Sequence, residues 1–255
     1  MFATIRIYLA SPALEEKDRL LRTMRRLAES GSPDREELEG FGPAGSSGET
    51  WPEGPEGQGL LLLLSGYRRM AGYDYPGAEE ALEKVIPLIA REHQPPLLYL
   101  GCCAGLGRTL SLSERGLNHQ ALQRIKSLKP LLDRLALPAL KGEARHLQAL
   151  ALRRLGRNAE ALAELNRALG LFQQTLDDYW IARVEDTLGV TTLDLGQMDQ
   201  AELHLQRALA RKVRLGDLPG QAYTLGNLGR YFASQERDDL AAHYLKRELE
   251  LSEKL

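Results

Sequence analysis

The chain has 255 residues, of which 43% are hydrophobic and 27% charged, a composition typical of a folded protein. Its formal net charge of -2 gives no overall reason to expect binding to nucleic acid or to an anionic membrane. Leu is abundant while there are only 4 Phe and 2 Trp, and because Leu favours helices this predicts an all-α protein.

The first thirty residues are predicted to form an amphipathic helical segment, because residues 12–29 alternate apolar and charged side chains at helical spacing. The stretch Thr4 to Leu9 alternates like a strand and is left unassigned. Its apolar run is short and contains Arg6, unlike a secretory signal. The only two cysteines, Cys102 and Cys103, are adjacent and cannot form an unstrained disulfide, so a reducing, cytoplasmic location is expected.

Residues 31–57 are predicted to be a disordered acidic linker rich in Gly and Pro. They contain seven acidic residues and one Arg, and so few apolar side chains that burial cannot offset the entropy of ordering. Two roles remain open for this segment: an inert solvated spacer, or an acidic strip that folds over a basic groove and competes with a partner.

An internal repeat dominates the remainder of the chain, with a period of 40 residues. Small or turn-forming residues recur at this interval, and so do large apolar ones. The series are Gly116, Gly156 and Gly196; Ala81, Ala121, Ala161, Ala201 and Ala241; and Val85, Ile125, Leu165, Leu205 and Leu245. Five units are predicted, at about 58–97, 98–137, 138–177, 178–217 and 218–255.

Each unit is predicted to contain two helices. The first carries apolar residues at positions i, i+3, i+4 and i+7 and stops near the recurring glycine, as at Gly196. Glycine adopts the left-handed conformation that ends a helix at little cost. The second helix begins with polar residues and then becomes apolar, as from Asp199 to Leu209.

These positions resemble the tetratricopeptide repeat family, whose best copies here include Leu188-Gly189, Gly196, Ala201 and Leu205. The 40-residue period is similar to the longer-helix branch of that family. The resemblance covers residues 58–255 and implies a right-handed α-solenoid of about five antiparallel helix pairs. It also implies a concave groove, lined by the first helices, that binds a peptide or helix of a partner protein.

The resemblance implies a set of solvent-facing groove residues on the first helices. They are Glu143, His146, Arg153, Arg154, Arg183, Asp186, Tyr223, Asn227 and Arg230. The arginines suit a carboxylate, a chain terminus or an acidic helix, so an acidic protein or peptide partner is expected. The alternative is that these are ordinary solvated residues that pair with nearby acids.

No catalytic site, metal site or cofactor is predicted. The five histidines have no metal-ligand spacing, and residues 101–109 fail as a phosphate loop because five residues, not four, separate Gly101 from Gly107 and Arg108 replaces the Lys. The glycines in this stretch are expected to loosen or kink a first helix. The sequence therefore predicts a protein that is not an enzyme and that binds neither nucleic acid nor membrane.

The last helix pair is expected to expose an apolar stripe that includes Leu228, Phe232, Leu240 and Leu249. That expectation favours either a fragment of a longer protein or a homodimer formed through the uncapped end. The most consistent function is a protein–protein interaction scaffold. The alternative is a sensory or regulatory repeat region of a larger bacterial signalling protein that binds a small peptide or ligand.

Overall fold

A computed structural model describes residues 54–91 and 95–254, and within these ranges the chain is helical with no β-strand. The predicted segment 1–30 and nearly all of the acidic linker lie outside the described residues. The first described helix begins at Pro55, inside the predicted linker. The helices fall into two compact units that divide between Leu137 and Pro138, and each unit is described separately below.

The first unit contains five described helices. They are α1 (Pro55–Ala71), α2 (Tyr75–Glu83), α3 (Ile86–Arg91), α4 (Pro95–Glu114) and α5 (Asn118–Leu135).

The second helix of the first repeat is split into α2 and α3, where the sequence predicted one helix. Pro87 is the second residue of α3. It has no N–H, and its ring would clash with the carbonyl four residues earlier, at Glu83, where α2 ends. The proline therefore accounts for the break between Glu83 and Ile86.

Residues 101–109 lie wholly inside α4, so the stretch is helical and forms no phosphate loop. Its glycines permit close packing. A Cβ at Gly105 would lie 2.5 Å from Leu128 of α5, and one at Gly107 would lie 2.9 Å from Leu82 of α2. These glycines do not break the helix, because α4 runs without interruption from Pro95 to Glu114.

The second unit repeats with complete regularity. Its helices are α6 (Pro138–Arg154), α7 (Asn158–Gln174), α8 (Asp178–Asp194), α9 (Met198–Leu215), α10 (Leu218–Ser234) and α11 (Asp238–Ser252). Helix starts are therefore spaced by 20 residues, and one helix pair recurs every 40. Gly156, Gly196 and Gly216 occupy turns with φ between 66° and 75°, the left-handed region that glycine enters without strain.

The recurring small residues of the second unit are the points where paired helices approach. Ala161, Ala201 and Ala241 are buried, and Gly189 of α8 leaves room for Leu205 of α9. A Cβ on Gly189 would come within 2.6 Å of that leucine. The prediction that small residues bring the helices together is confirmed for this pair, and the chain has the all-α solenoid fold of paired antiparallel helices.

The expected apolar stripe on the last pair is only partly present. Leu228 and Phe232 are buried in a cluster with Leu205 and Ala241, and Leu240 is half-buried. Leu249 is 57% exposed. The expectation is wrong for the two buried residues because α9 and α11 cover them, with Tyr244 of α11 stacked on Phe232. The homodimer stays a prediction.

Candidate functional site

The first helices of the second unit bond directly to one another through side chains 41 residues apart. His146 of α6 lies 3.0 Å from Thr187 of α8, and Asn227 of α10 donates to Asp186 of α8 at 3.2 Å. Arg153 of α6 pairs with Asp194 of α8 at 3.3 Å. Helices α6, α8 and α10 thus contact one another side by side, and the surface that they form is called the first-helix face below. All nine predicted groove residues belong to these three helices.

Four of the nine residues predicted to face solvent are buried: Glu143, His146, Asp186 and Asn227 are each 3–4% exposed. The expectation of exposure is wrong for these four. For His146, Asp186 and Asn227 the cause is visible, because neighbouring first helices contact each other at these positions. Arg153 and Arg183 are half-buried, whereas Arg154, Tyr223 and Arg230 are exposed.

Arg183 is held in a defined position by aromatic side chains of its own helix. Its guanidinium lies 5.0 Å from the ring centroid of Trp180 and donates a hydrogen bond to the Tyr179 hydroxyl at 3.2 Å. Trp180 is itself stacked on Phe172. An arginine fixed in this way loses little conformational entropy when it binds a carboxylate, so Arg183 is well placed for anion recognition.

Lys212 of α9 is the main functional candidate that the groove pattern missed. It is 3% exposed, donates to the Thr224 hydroxyl at 2.7 Å and lies 3.6 Å from the Asp186 carboxylate. Its ammonium also lies 5.7 Å from the ring of Tyr223. The repeat contains a signal for it: the residues 40 and 80 positions earlier are the buried Phe172 and Leu132, so a lysine here stands out.

Burial lowers the pKa of Lys212, and the Asp186 carboxylate opposes that shift. The cluster around it is therefore a buried ion pair with two hydrogen-bonding neighbours, Thr224 and Asn227. Removing one charge from such a pair costs more than replacing both with apolar groups.

His146 is neutral at physiological pH. Burial lowers its pKa to about 3, and the positive charges of Arg183 and Lys212 act in the same direction. The Thr187 hydroxyl donates to the Arg183 carbonyl and so accepts from His146 Nε2, while His146 Nδ1 has no hydrogen-bond partner.

Among the described residues, no group of three or more His, Cys, Asp and Glu side chains is arranged to hold a metal ion. The helices in residues 54–91 and 95–254 include none with the length and apolar character needed to cross a membrane.

The comparisons with known proteins identify the repeat. The family model described as tetratricopeptide repeat matches residues 142–212 and 189–254, which cover most of the second unit. The helix pairs, the recurring glycine and the recurring alanine described above are all present in this region. Residues 142–254 therefore consist of repeats of the tetratricopeptide repeat family, a family of generally non-catalytic scaffolds for protein interaction.

One curated relative is the regulatory protein AfsR of Streptomyces griseus, which is 30% identical over 166 residues. The match takes in 62% of this chain, and the chain spans 17% of the length of that relative.

Several solved structures share the fold. A Rap protein complexed with Competence and Sporulation Factor has a TM-score of 0.74 at 13% identity, with 98% of this chain and 74% of that chain covered. Cut9–Hcn1 of the APC/C has a TM-score of 0.67 at 21% identity, with 98% and 42% covered. BtubC from P. vanneervenii has a TM-score of 0.61 at 17% identity, with 93% and 91% covered. At these identities the likeness establishes the fold alone.

Proposed function

We propose that the chain is a non-enzymatic scaffold that binds an acidic peptide or helix of a partner protein along the first-helix face of the second unit. The observation that carries this proposal is the continuity of that face. Three helices are joined by side-chain bonds 41 residues apart and present Arg183, Tyr223 and Arg230 at the same surface.

The charges of the face favour an acidic partner. Asp186 is already paired with Lys212, and Asp194 with Arg153. Arg230 adds positive charge at an exposed position of the same face. Arginine binds carboxylates through two parallel hydrogen bonds, and Tyr223, at 61% exposed, adds apolar contact area beside them.

A peptide selection tests the proposal and does not require the partner to be identified first. A displayed library of random nonapeptides is panned against the full chain, and recovered peptides are measured by fluorescence anisotropy. Substitutions Tyr223→Ala and Arg230→Glu are expected to weaken binding about tenfold or more, as for residues central to an interface. Substitution Arg207→Glu, an exposed arginine on the second helix α9, is the matched control and is expected to change affinity less than about twofold.

Two results would contradict the proposal. One is recovery of no peptide that binds the chain. The other is a set of binders whose affinity is unchanged by Tyr223→Ala and Arg230→Glu but reduced by Arg207→Glu, which would place binding on the second helices.

A second candidate is a regulatory repeat region of a larger bacterial protein whose ligand changes its conformation. It is favoured by the similarity to the regulatory protein AfsR and by the fold shared with a Rap protein complexed with Competence and Sporulation Factor. Small-angle scattering with and without a selected peptide separates the two candidates. A regulatory region is expected to change its radius of gyration on binding, and a rigid scaffold is expected to keep it.

A further inference from the structure

In the antiparallel helix pairs of the second unit there is one level at which a residue of the first helix contacts the residue 19 positions later on the second helix. At this level the two side chains are complementary in each of two successive pairs. Arg145 bonds to Glu164 at 2.7 Å, and Glu185 lies 3.3 Å from His204.

The equivalent level of the first unit lacks one partner. The residues are Gly105 of α4 and Arg124 of α5, 40 positions before Arg145 and Glu164. Glycine has no side chain to offer, and Leu128 occupies the space beside it, 2.5 Å from where a Cβ would lie. Arg124 therefore has no side chain opposite it.

Arg124 finds no substitute in the described part of the chain. It is half-buried, its Nε is buried without a hydrogen-bond partner, and its guanidinium forms no ion pair with any described residue. Burying a guanidinium nitrogen without an acceptor lowers the stability of the folded protein. A ligand or another group that accepts its hydrogen bond would remove that cost.

A second arginine with a buried Nε lies in the same region. Arg108 of α4 is 8% exposed; the residues 80 and 120 positions later, Leu188 and Leu228, belong to the apolar core, and the residue 40 positions later, Gln148, is half-buried. Its Nε also has no hydrogen-bond partner. Arg108 and Arg124, on one helix pair, thus each have a buried Nε–H group that donates no hydrogen bond.

The local charges leave a positive excess. Arg108 pairs with Glu83 at 3.3 Å and with Glu79 at 4.0 Å, and Glu79 pairs with Arg115 at 2.6 Å. Together with Arg124 there are three arginines and two carboxylates. Burial lowers the pKa of Arg124 and the charge of Arg108 lowers it further, while the carboxylates of Glu79 and Glu83 oppose that shift; an added anion would act in the same direction as these carboxylates and stabilise the charged form.

We propose that Arg124 and Arg108 form a binding site in the first unit for an oxyanion, the phosphate or carboxylate group of a small ligand. Both groups present oxygen atoms at the spacing that a guanidinium fork recognises. The site is independent of the first-helix face and of the proposed function.

The test uses the full chain with sodium phosphate and sodium acetate as probes, at constant ionic strength and pH 7, with sodium chloride as the reference. Binding is followed by isothermal titration calorimetry and by the thermal unfolding midpoint. We expect saturable binding of at least one probe. Tighter binding of phosphate identifies a phosphate site, and tighter binding of acetate identifies a carboxylate site.

Two variants and one control assign the binding to Arg124. Substitution Arg124→Gln is expected to weaken it about tenfold or more, the loss expected when a charged donor is removed. Substitution Arg124→Glu places at 124 the residue that its equivalent, Glu164, already has, and is expected to pair with Arg108 and abolish the anion response. Arg134→Gln, an exposed arginine on the same helix, is expected to keep the wild-type affinity within about twofold.

The proposal is overturned by a wild-type response to both probes that equals the response to chloride. It is equally overturned if Arg124→Gln and Arg124→Glu, shown to be folded by circular dichroism, bind the probes as tightly as the wild type.

Discussion

The α4–α5 pair of the first unit and the α8–α9 pair of the second have the same arrangement of helices. They differ in how their buried positive charges are neutralised. In α8–α9, Lys212 stands where the repeat elsewhere has Phe172, and Asp186 neutralises it. In α4–α5, Arg108 stands where later repeats have Leu188 and Leu228, and its neighbour Arg124 forms no ion pair with a described residue, although the charges of Glu79 and Glu83 act on it.

The difference shows that the 40-residue repeat determines the helical backbone, whereas a charged residue in place of an apolar one at a single core position introduces a local buried charge. A charged residue at such a position must be compensated from within the fold or by a ligand. The second unit provides the compensation internally, and the first unit leaves part of it open.

The largest expected effect comes from removing the internal compensation in the second unit. Substitution Asp186→Leu leaves Lys212 buried without a counter-ion and is expected to lower the free energy of unfolding by about 3–5 kcal/mol. Urea denaturation at pH 7 measures it. The double variant Asp186→Leu with Lys212→Leu is expected to recover most of the loss, because buried apolar residues occupy equivalent positions: Phe172 and Leu132 for Lys212, and Leu106 for Asp186. A double variant as unstable as the single one would show that the ion pair is not the cause.

Close helix packing gives the next effect and is expected to be alike in the two pairs. Gly105→Ala in α4 would bring a Cβ to 2.5 Å from Leu128, and Gly189→Ala in α8 would bring one to 2.6 Å from Leu205. Each is expected to lower the free energy of unfolding by about 1–3 kcal/mol through overpacking. Gly170→Ala is the control: no atom lies within 4 Å of its Cβ, so it is expected to stabilise α7 by about 0.5–1 kcal/mol. Equal effects at all three glycines would contradict the packing explanation.

Acidic pH is expected to lower the stability of the second unit through His146. Its folded-state pKa of about 3 lies below the unfolded value of about 6.5, so the unfolded chain binds a proton more readily. The stability that this difference provides is complete above pH 6.5 and is lost as the pH falls from there toward 3. Between pH 6.5 and 4.5 the wild type is expected to lose about 2 kcal/mol more than His146→Gln. Urea denaturation across this range measures the difference, and parallel pH profiles for the two proteins would exclude a buried neutral His146.

The smallest effect concerns a turn in the second unit. Leu176 has φ of 52° and is 85% exposed, whereas the equivalent Gly216 has φ of 66°. Leu176→Gly is expected to raise the free energy of unfolding by about 1 kcal/mol because it removes left-handed strain. The reverse change, Gly216→Leu, is expected to lower it by a similar amount. A decrease in thermal midpoint for Leu176→Gly would mean that Leu176 makes contacts that outweigh its strain.

The sequence alone determined the class of fold. Helical spacing, recurring glycines and recurring alanines act locally or between adjacent helices, so a 40-residue period is sufficient to specify stacked helix pairs. It also directed attention to the first helices, where His146, Arg183 and Asn227 do lie on one face. The period does not predict exposure, because Asp186 is in contact with Asn227 of α10, a helix that begins 40 residues after the start of α8.

Only the tertiary structure decided which charges are compensated. Lys212 and Asp186 are 26 positions apart, and Arg108 and Glu83 are 25 apart, so no local pattern links the partners. Whether Arg124 faces an acid or a glycine depends on the residue 19 positions earlier and on the space that Leu128 fills. Compensation of a buried charge is set by distances of a few ångströms between separate helices, and those distances exist only once the helices have packed.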